Sequence, residues 1–140
     1  MSSVAIQNLD IRYGSVHVVK SLDLEIRDGE FLVLLGPSGC GKSTLLNAIG
    51  GLTDVSGGAI HFNEKDVTWV DPKDRGIGMV FQSYALYPTM SVERNMSFGL
   101  KIAGVPKADI EKKVAWAAEL LQITHLLDRK PSALSGGQRQ

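Results

Sequence analysis

A chain of 140 residues, 44% apolar and 21% charged, has the makeup of one ordinary globular domain. Its fifteen Lys and Arg balance fifteen Asp and Glu, and a net charge of zero argues against a general binder of nucleic acid or anionic membrane. The single cysteine excludes an internal disulfide and suits a reducing compartment. No apolar run nears the roughly 20 residues a membrane helix needs, and residues 1–10 are mixed polar and apolar, unlike a signal peptide.

In chain order, Leu22, Leu24 and Ile26 alternate with Asp23 and Glu25, the pattern of a half-buried strand. Asp28-Gly29 is a turn signal, and Phe31 to Leu35 is an unbroken apolar run, which predicts a strand buried on both faces of a parallel sheet. A helix is expected from about Lys42 to Ile49. Ala59–Phe62 and Ile77–Phe81 are further strand candidates. Ser91 is placed to cap a helix with Glu93 in its first turn, running to about Ala103 before Gly104. Pro106 opens another helix, with Ile110, Val114, Ala117, Ala118 and Leu121 on one face. Strands around a loop-to-helix turn, followed by a helical block, indicate an α/β fold; no repeat or linker interrupts it.

The chemistry concentrates in Gly36-Pro37-Ser38-Gly39-Cys40-Gly41-Lys42-Ser43-Thr44. A glycine, four residues, then Gly-Lys-Ser is the spacing of a phosphate-binding loop. The glycines let the backbone curl so that successive N–H groups point inward, and the following helix turns its positive end to the same point. The dipole contributes about 0.3–1 kcal/mol at an exposed end. Several charge-assisted hydrogen bonds of roughly 1.5–3 kcal/mol each contribute more. Lys42 adds a point charge for the β and γ phosphates, and Ser43 a hydroxyl for Mg2+. The competing reading is a glycine-rich turn with a surface lysine, but the spacing arises by chance on the order of once per ten thousand positions. A strand before it and a helix after it supply the required context. Cys40 serves through its backbone, as a small passive side chain.

A second motif narrows the class. Leu134-Ser135-Gly136-Gly137-Gln138 resembles the signature of ABC-type ATPases. Ser135 is a good helix cap, and two glycines leave the first amides unobstructed, which makes a second anion site at a helix start. The resemblance implies a P-loop NTPase core with an N-terminal antiparallel β part and a helical subdomain. The implied divisions are residues 1–83, 84–134 and 135–140. It also implies a head-to-tail dimer with a second copy, each ATP lying between the loop of one copy and Ser135, Gly136, Gly137 and Gln138 of the other. Tyr13 resembles the aromatic that stacks on adenine, with Val18 flanking the ring. Gln82, after the run 76–81, resembles the glutamine that binds Mg2+ or the attacking water. Lys42 and Gln82 are thereby the catalytic candidates, and Ser43 and Gln82 the metal candidates. His17, His61 and His125 have no ligand spacing.

The segment Gln82–Leu100, with Pro72-Lys73-Asp74-Arg75 before it, resembles the ATPase subunit of carbohydrate-uptake ABC importers of the maltose and glycerol-phosphate type. That resemblance implies a peripheral location on the cytoplasmic side of the membrane. It also implies membrane-spanning permease subunits docking near 82–100, where Ala85, Leu86, Tyr87, Pro88 and Met90 form an apolar cluster. The family's hydrolysis requires a carboxylate on Mg2+ and another orienting water, at the end of a strand after the signature, together with a switch histidine. No segment up to Gln140 supplies them, and Asp128 follows only Leu126-Leu127 in a helical context. The chain therefore reads as the front part of a longer protein, inactive in hydrolysis and marginally stable by itself. The alternatives are a nucleotide-binding piece without turnover and an ABC ATPase outside transport.

Overall fold

The computed structural model describes residues 2–140. The chain divides after Met79 into two compact units.

The first unit is a four-stranded antiparallel sheet with one helix against it. β1 (Val4–Tyr13) and β2 (Val16–Ile26) form a hairpin, β3 (Gly57–Phe62) pairs with the other side of β1, and β4 (Lys65–Asp66) pairs with β3. The order across the sheet is β2-β1-β3-β4. The alternation read at Leu22–Ile26 holds: those three apolar residues are half-buried and the acids between them exposed. β1 escaped the sequence reading, and its register explains why. The pairing shifts between Ile6 and Leu9 and again between Leu9 and Ile11, so the buried residues do not recur every second position. Asn8, inside the first shift, has φ 46°, and its N–H is taken by Asp23 Oδ1 at 2.7 Å. A bulge of this kind erases the period-two signal while keeping the strand.

Helix α1 (Lys42–Ile49) has the predicted bounds and buries Leu45 and Ala48. They join Ile6, Leu9, Ile11, Val19, Val55, Ile60, Phe62 and Val67 in one apolar core. Burial of each large member contributes about 1.5–3 kcal/mol, so the sheet and α1 hold each other.

Two expected strands are not formed. Residues 31–35 and 77–81 carry no strand pairing. Phe31 is 90% exposed and Val80 94%; of the run 31–35 only Leu34 packs on the core. The reason is pairing. A strand needs a neighbour for its N–H and C=O groups, and among the described residues all sheet contacts are made by β1 to β4. An apolar run specifies a buried strand only when such a neighbour lies beside it.

The second unit is helical. α2 (Val92–Ile102) starts at Ser91, whose hydroxyl accepts from Arg94 N at 3.3 Å, with Glu93 in the first turn as expected. It stops at Ala103, before Gly104 at φ 71°. The Asn95 side chain ties the preceding loop to the helix: Oδ1 accepts from Tyr87 N, and Nδ2 donates to Tyr87 O, Met90 O and Ser91 O. α3 (Lys107–Leu120) follows Pro106 and buries Ile110, Val114 and Ala118. Leu121 is not part of that face as the sequence suggested; it lies past the helix end and is 63% exposed. A last short helix, α4 (Gly136–Arg139), closes the unit.

Candidate functional site

The loop before α1 is shaped by its glycines. Gly41, the residue before α1, is left-handed at φ 97°, and Gly39 has φ 82°. A Cβ on Gly41 would stand 3.1 Å from Val18 Cγ1 and 3.4 Å from Val18 O; one on Gly36 would stand 2.8 Å from Cys40 Sγ. A side chain at Gly41 would therefore press the loop off Val18, whereas at Gly36 it would have to displace the Cys40 thiol. The first helical turn is left uncapped: no side chain bonds its amides and it holds no acid. Leu45 N is the first to bond back into the helix, to Gly41 O at 2.8 Å. The amides of Lys42, Ser43 and Thr44 consequently have no partner in the helical ladder. α2 and α4 differ, since each spends a serine hydroxyl on its own start.

Lys42 reaches back across the loop. Its Nζ donates to Gly36 O at 2.7 Å and Pro37 O at 2.8 Å and lies 3.4 Å from Cys40 Sγ. One cation is thus held on the carbonyls that open the loop. An anion with several oxygens suits a loop that combines a lysine ammonium with helix-start amides outside the helical ladder. Ser43 is exposed at the start of α1, where a hydroxyl is free to meet a cation that accompanies phosphate.

Val18, half-buried, packs on the loop at Gly41. Tyr13 ends β1 with its ring 51% exposed and its hydroxyl 3.5 Å from Thr53 Oγ1. Between them, Asp10 binds His17 Nε2 and accepts from Ser21 N at 3.3 Å. The His17 hydrogen bond and then the Ser21 amide hold the Asp10 carboxyl below its ordinary range. His17 is therefore a structural histidine that pins β2 to β1.

Gln82 and the 134–138 motif belong to the second unit. Gln82 is exposed, and Tyr84 and Ala85 just after it are both left-handed, at φ 63° and 49°. Ala85, Leu86 and Tyr87 line a cavity of about 370 Å3 together with Pro131, Leu134 and Gln138. At the signature, Ser135 Oγ accepts from Gln138 N at 3.3 Å while Gln138 Oε1 accepts from Ser135 N at 3.0 Å. The cap at Ser135 was legible; the reciprocal role of Gln138 was not drawn, although Ser-x-x-Gln is its sequence mark.

Sequence reasoning also passed over Arg75, beyond counting it in a resemblance. This arginine is buried, and it donates to the backbone carbonyls of Ala48, Ile49, Thr68 and Val70. Burial pushes its pKa down from the ordinary arginine value, but a guanidinium stays charged regardless. No spacing rule announces a side chain whose partners are all carbonyls.

A glycine-rich loop leading into α1, with a capped Ser-Gly-Gly-Gln helix in a separate helical unit, is the motif pair of the ABC ATPases. The family model described as ABC transporter matches residues 19–140, and the chain belongs to that family. It is 58% identical over 140 residues to "Maltose/maltodextrin import ATP-binding protein MalK" of Mannheimia succiniciproducens, covering all of this chain and 38% of the relative. It is 66% identical over 122 residues to "Diacetylchitobiose uptake system ATP-binding protein MsiK" of Streptomyces coelicolor, covering 87% of this chain and 32% of that protein. The chain thus spans about a third of the curated relatives it matches. Among solved structures, the dimeric post-hydrolysis state of the ATP-binding cassette MJ0796, bound to ADP and Pi, superposes with a TM-score of 0.85 at 27% identity. That match covers 97% of this chain and 65% of the other, and the α/β fold with an antiparallel N-terminal sheet and a helical part is the ABC ATPase fold.

Proposed function

We propose that this chain carries the ATP grip of a subunit that powers import of a sugar across a membrane. The observation that carries the reading is the loop 36–44, with left-handed Gly39 and Gly41, amides at 42–44 outside the helical ladder, and the Lys42 ammonium folded back onto Gly36 O and Pro37 O. Its support from relatives is that the maltose/maltodextrin protein is an import ATP-binding protein and the diacetylchitobiose protein the ATP-binding protein of an uptake system. Adenine stacks on Tyr13 beside Val18, the phosphates rest on the amides from Gly39 to Thr44, and Lys42 spans the β and γ groups. Ser43, exposed at the start of α1, would hold Mg2+ together with phosphate oxygens and water, and Mg2+ would neutralise phosphate charge there. Gln82, the other metal candidate, is an exposed amide in the second unit.

Ser135, Gly136, Gly137 and Gln138 act on the nucleotide of a second copy, head to tail, so the same two surfaces are used twice. The apolar residues Ala85, Leu86, Tyr87, Pro88 and Met90, the first three of which line a cavity, favour a permease segment as partner near 82–100. Peripheral attachment on the cytoplasmic face follows from that partner; no helix among the described residues is long and apolar enough to cross a membrane itself.

The test is ATP-driven sugar uptake by the natively expressed protein, assembled with its membrane partners in vesicles. ATP titration is expected to saturate, and Lys42→Ala to abolish both nucleotide binding and uptake while the protein remains folded. Undiminished ATP binding by Lys42→Ala would overturn the assignment of the loop. Nucleotide binding without any uptake or phosphate release would favour a binding module instead.

A further inference from the structure

We propose that Arg75 is a positioning residue for the phosphate grip, setting the direction of α1 from the end opposite the loop; the proposal rests on the ATP reading above. The Arg75 Nη1 group donates at 2.9 Å to both Ala48 O and Ile49 O, the last turn of α1. Its Nε donates to Val70 O at 2.8 Å and Nη2 to Thr68 O at 3.0 Å. One planar fork therefore joins the carbonyl end of the helix to the segment after β4.

The helix does not need this arginine merely to stop. Gly50 N, Gly51 N and Leu52 N already return to Leu46 O, Ala48 O and Asn47 O. Ala48 O accepts twice, once from Gly51 N in that backbone turn and once from Arg75 Nη1. What Arg75 adds is a fixed tie from α1 to a second segment, at the end where the helix dipole is negative. That segment is itself stiff. Pro72–Asp74 forms a short 3-10 turn, Arg75 N bonds Pro72 O, and Thr68 is buried with its hydroxyl bonded to Ile60 N and Asp66. Gly51 makes room for the guanidinium: a Cβ there would stand 2.6 Å from Nε.

An eight-residue helix is about 12 Å long and moves as a rod. A tilt at Ala48–Ile49 is therefore carried to the amides of Lys42, Ser43 and Thr44, whose alignment decides how well they meet phosphate. Lysine cannot substitute fully, since an ammonium has no planar fork to reach helix and loop carbonyls together.

The test uses the natively expressed protein with its membrane partners. In Arg75→Met the KM for ATP is expected to rise roughly tenfold, the loss of about one charged hydrogen bond's worth of alignment, with kcat changed less than about twofold. Arg75→Lys, milder for folding, is expected to fall between. A bystander that only supports the fold would lower the melting temperature and leave KM where it was in both variants, and that result would overturn the proposal. Hydrogen exchange on the unmutated protein decides independently of folding. ATP is expected to slow exchange in 68–75 along with 39–49. Slowing confined to 39–49 would count against the tie. No slowing anywhere, with no saturable ATP binding, would remove the ATP reading itself and this inference with it.

Discussion

Replacing Gly41 by alanine probes the curl of the loop with one methyl group. The residue sits at φ 97° and ψ 1°, where an L side chain costs about 1–2 kcal/mol. The new methyl would also meet Val18 Cγ1 at 3.1 Å and Val18 O at 3.4 Å, and crowding of that kind typically adds about 1–3 kcal/mol before relaxation. The chain can shed the strain by letting the loop swing off Val18, which undoes the alignment of its amides. If about 1–3 kcal/mol of grip is lost that way, the Kd for ATP rises roughly 5- to 150-fold. Gly39→Ala is the internal control: at φ 82° it bears the torsional cost, but nothing lies within 4 Å of its methyl. Its loss should be the smaller. Val18→Ala placed in the Gly41→Ala background should recover the thermal stability lost to crowding and none of the torsional part; it is read in the melts, because Val18 also flanks the adenine in the proposed site. Calorimetric ATP titration, with thermal melts to establish folding, reads all four proteins. A folded Gly41→Ala protein that binds ATP as the parent does would show that the curled backbone is not what grips phosphate.

Two further perturbations test the support around the site. Thr68→Val should cost about 1–3 kcal/mol, because Thr68 Oγ1 accepts the buried Ile60 N–H at 2.9 Å and donates to Asp66 at 2.6 Å. Thr68→Ser should recover most of that in a denaturant titration, and equal stability of the valine variant and the parent would refute the accounting. Asp10 is held below its ordinary pKa of 3.8 chiefly by His17 and then by Ser21 N. A depressed folded pKa means that its stabilisation is complete above the unfolded value and is lost as pH falls through the lower, folded one. Melting temperature should therefore drop more steeply in the parent than in Asp10→Asn as pH falls below about 3.8; parallel curves would mean the Asp10–His17 contact contributes nothing.

What could be read from the sequence was what is encoded by neighbours along the chain. Ser91 and Glu93 mark α2 because a hydroxyl can reach an amide three residues away. Glycines at 39 and 41 mark the loop because only glycine is at ease there. α1 was bounded correctly from Lys42 to Ile49 for the same reason. What escaped depends on partners distant in sequence. β1 hides behind register shifts at Ile6, Leu9 and Ile11. Residues 31–35 are apolar enough for a buried strand yet find no neighbour among the described residues. Arg75 spends its donors on carbonyls up to 27 residues back in the chain.

This division has a consequence for the site. The loop 36–44 keeps its curl although the run that leads into it is unpaired and largely exposed. Its shape must then be held from the other side. Leu45 and Ala48 anchor α1 in the core, Val18 presses on Gly41, and Lys42 bonds Gly36 O and Pro37 O. All of these lie in the first unit. The proposed grip on phosphate thus rests on the hairpin, α1 and the loop itself, and pairing of residues 31–35 with a further strand would stiffen its entrance without creating it.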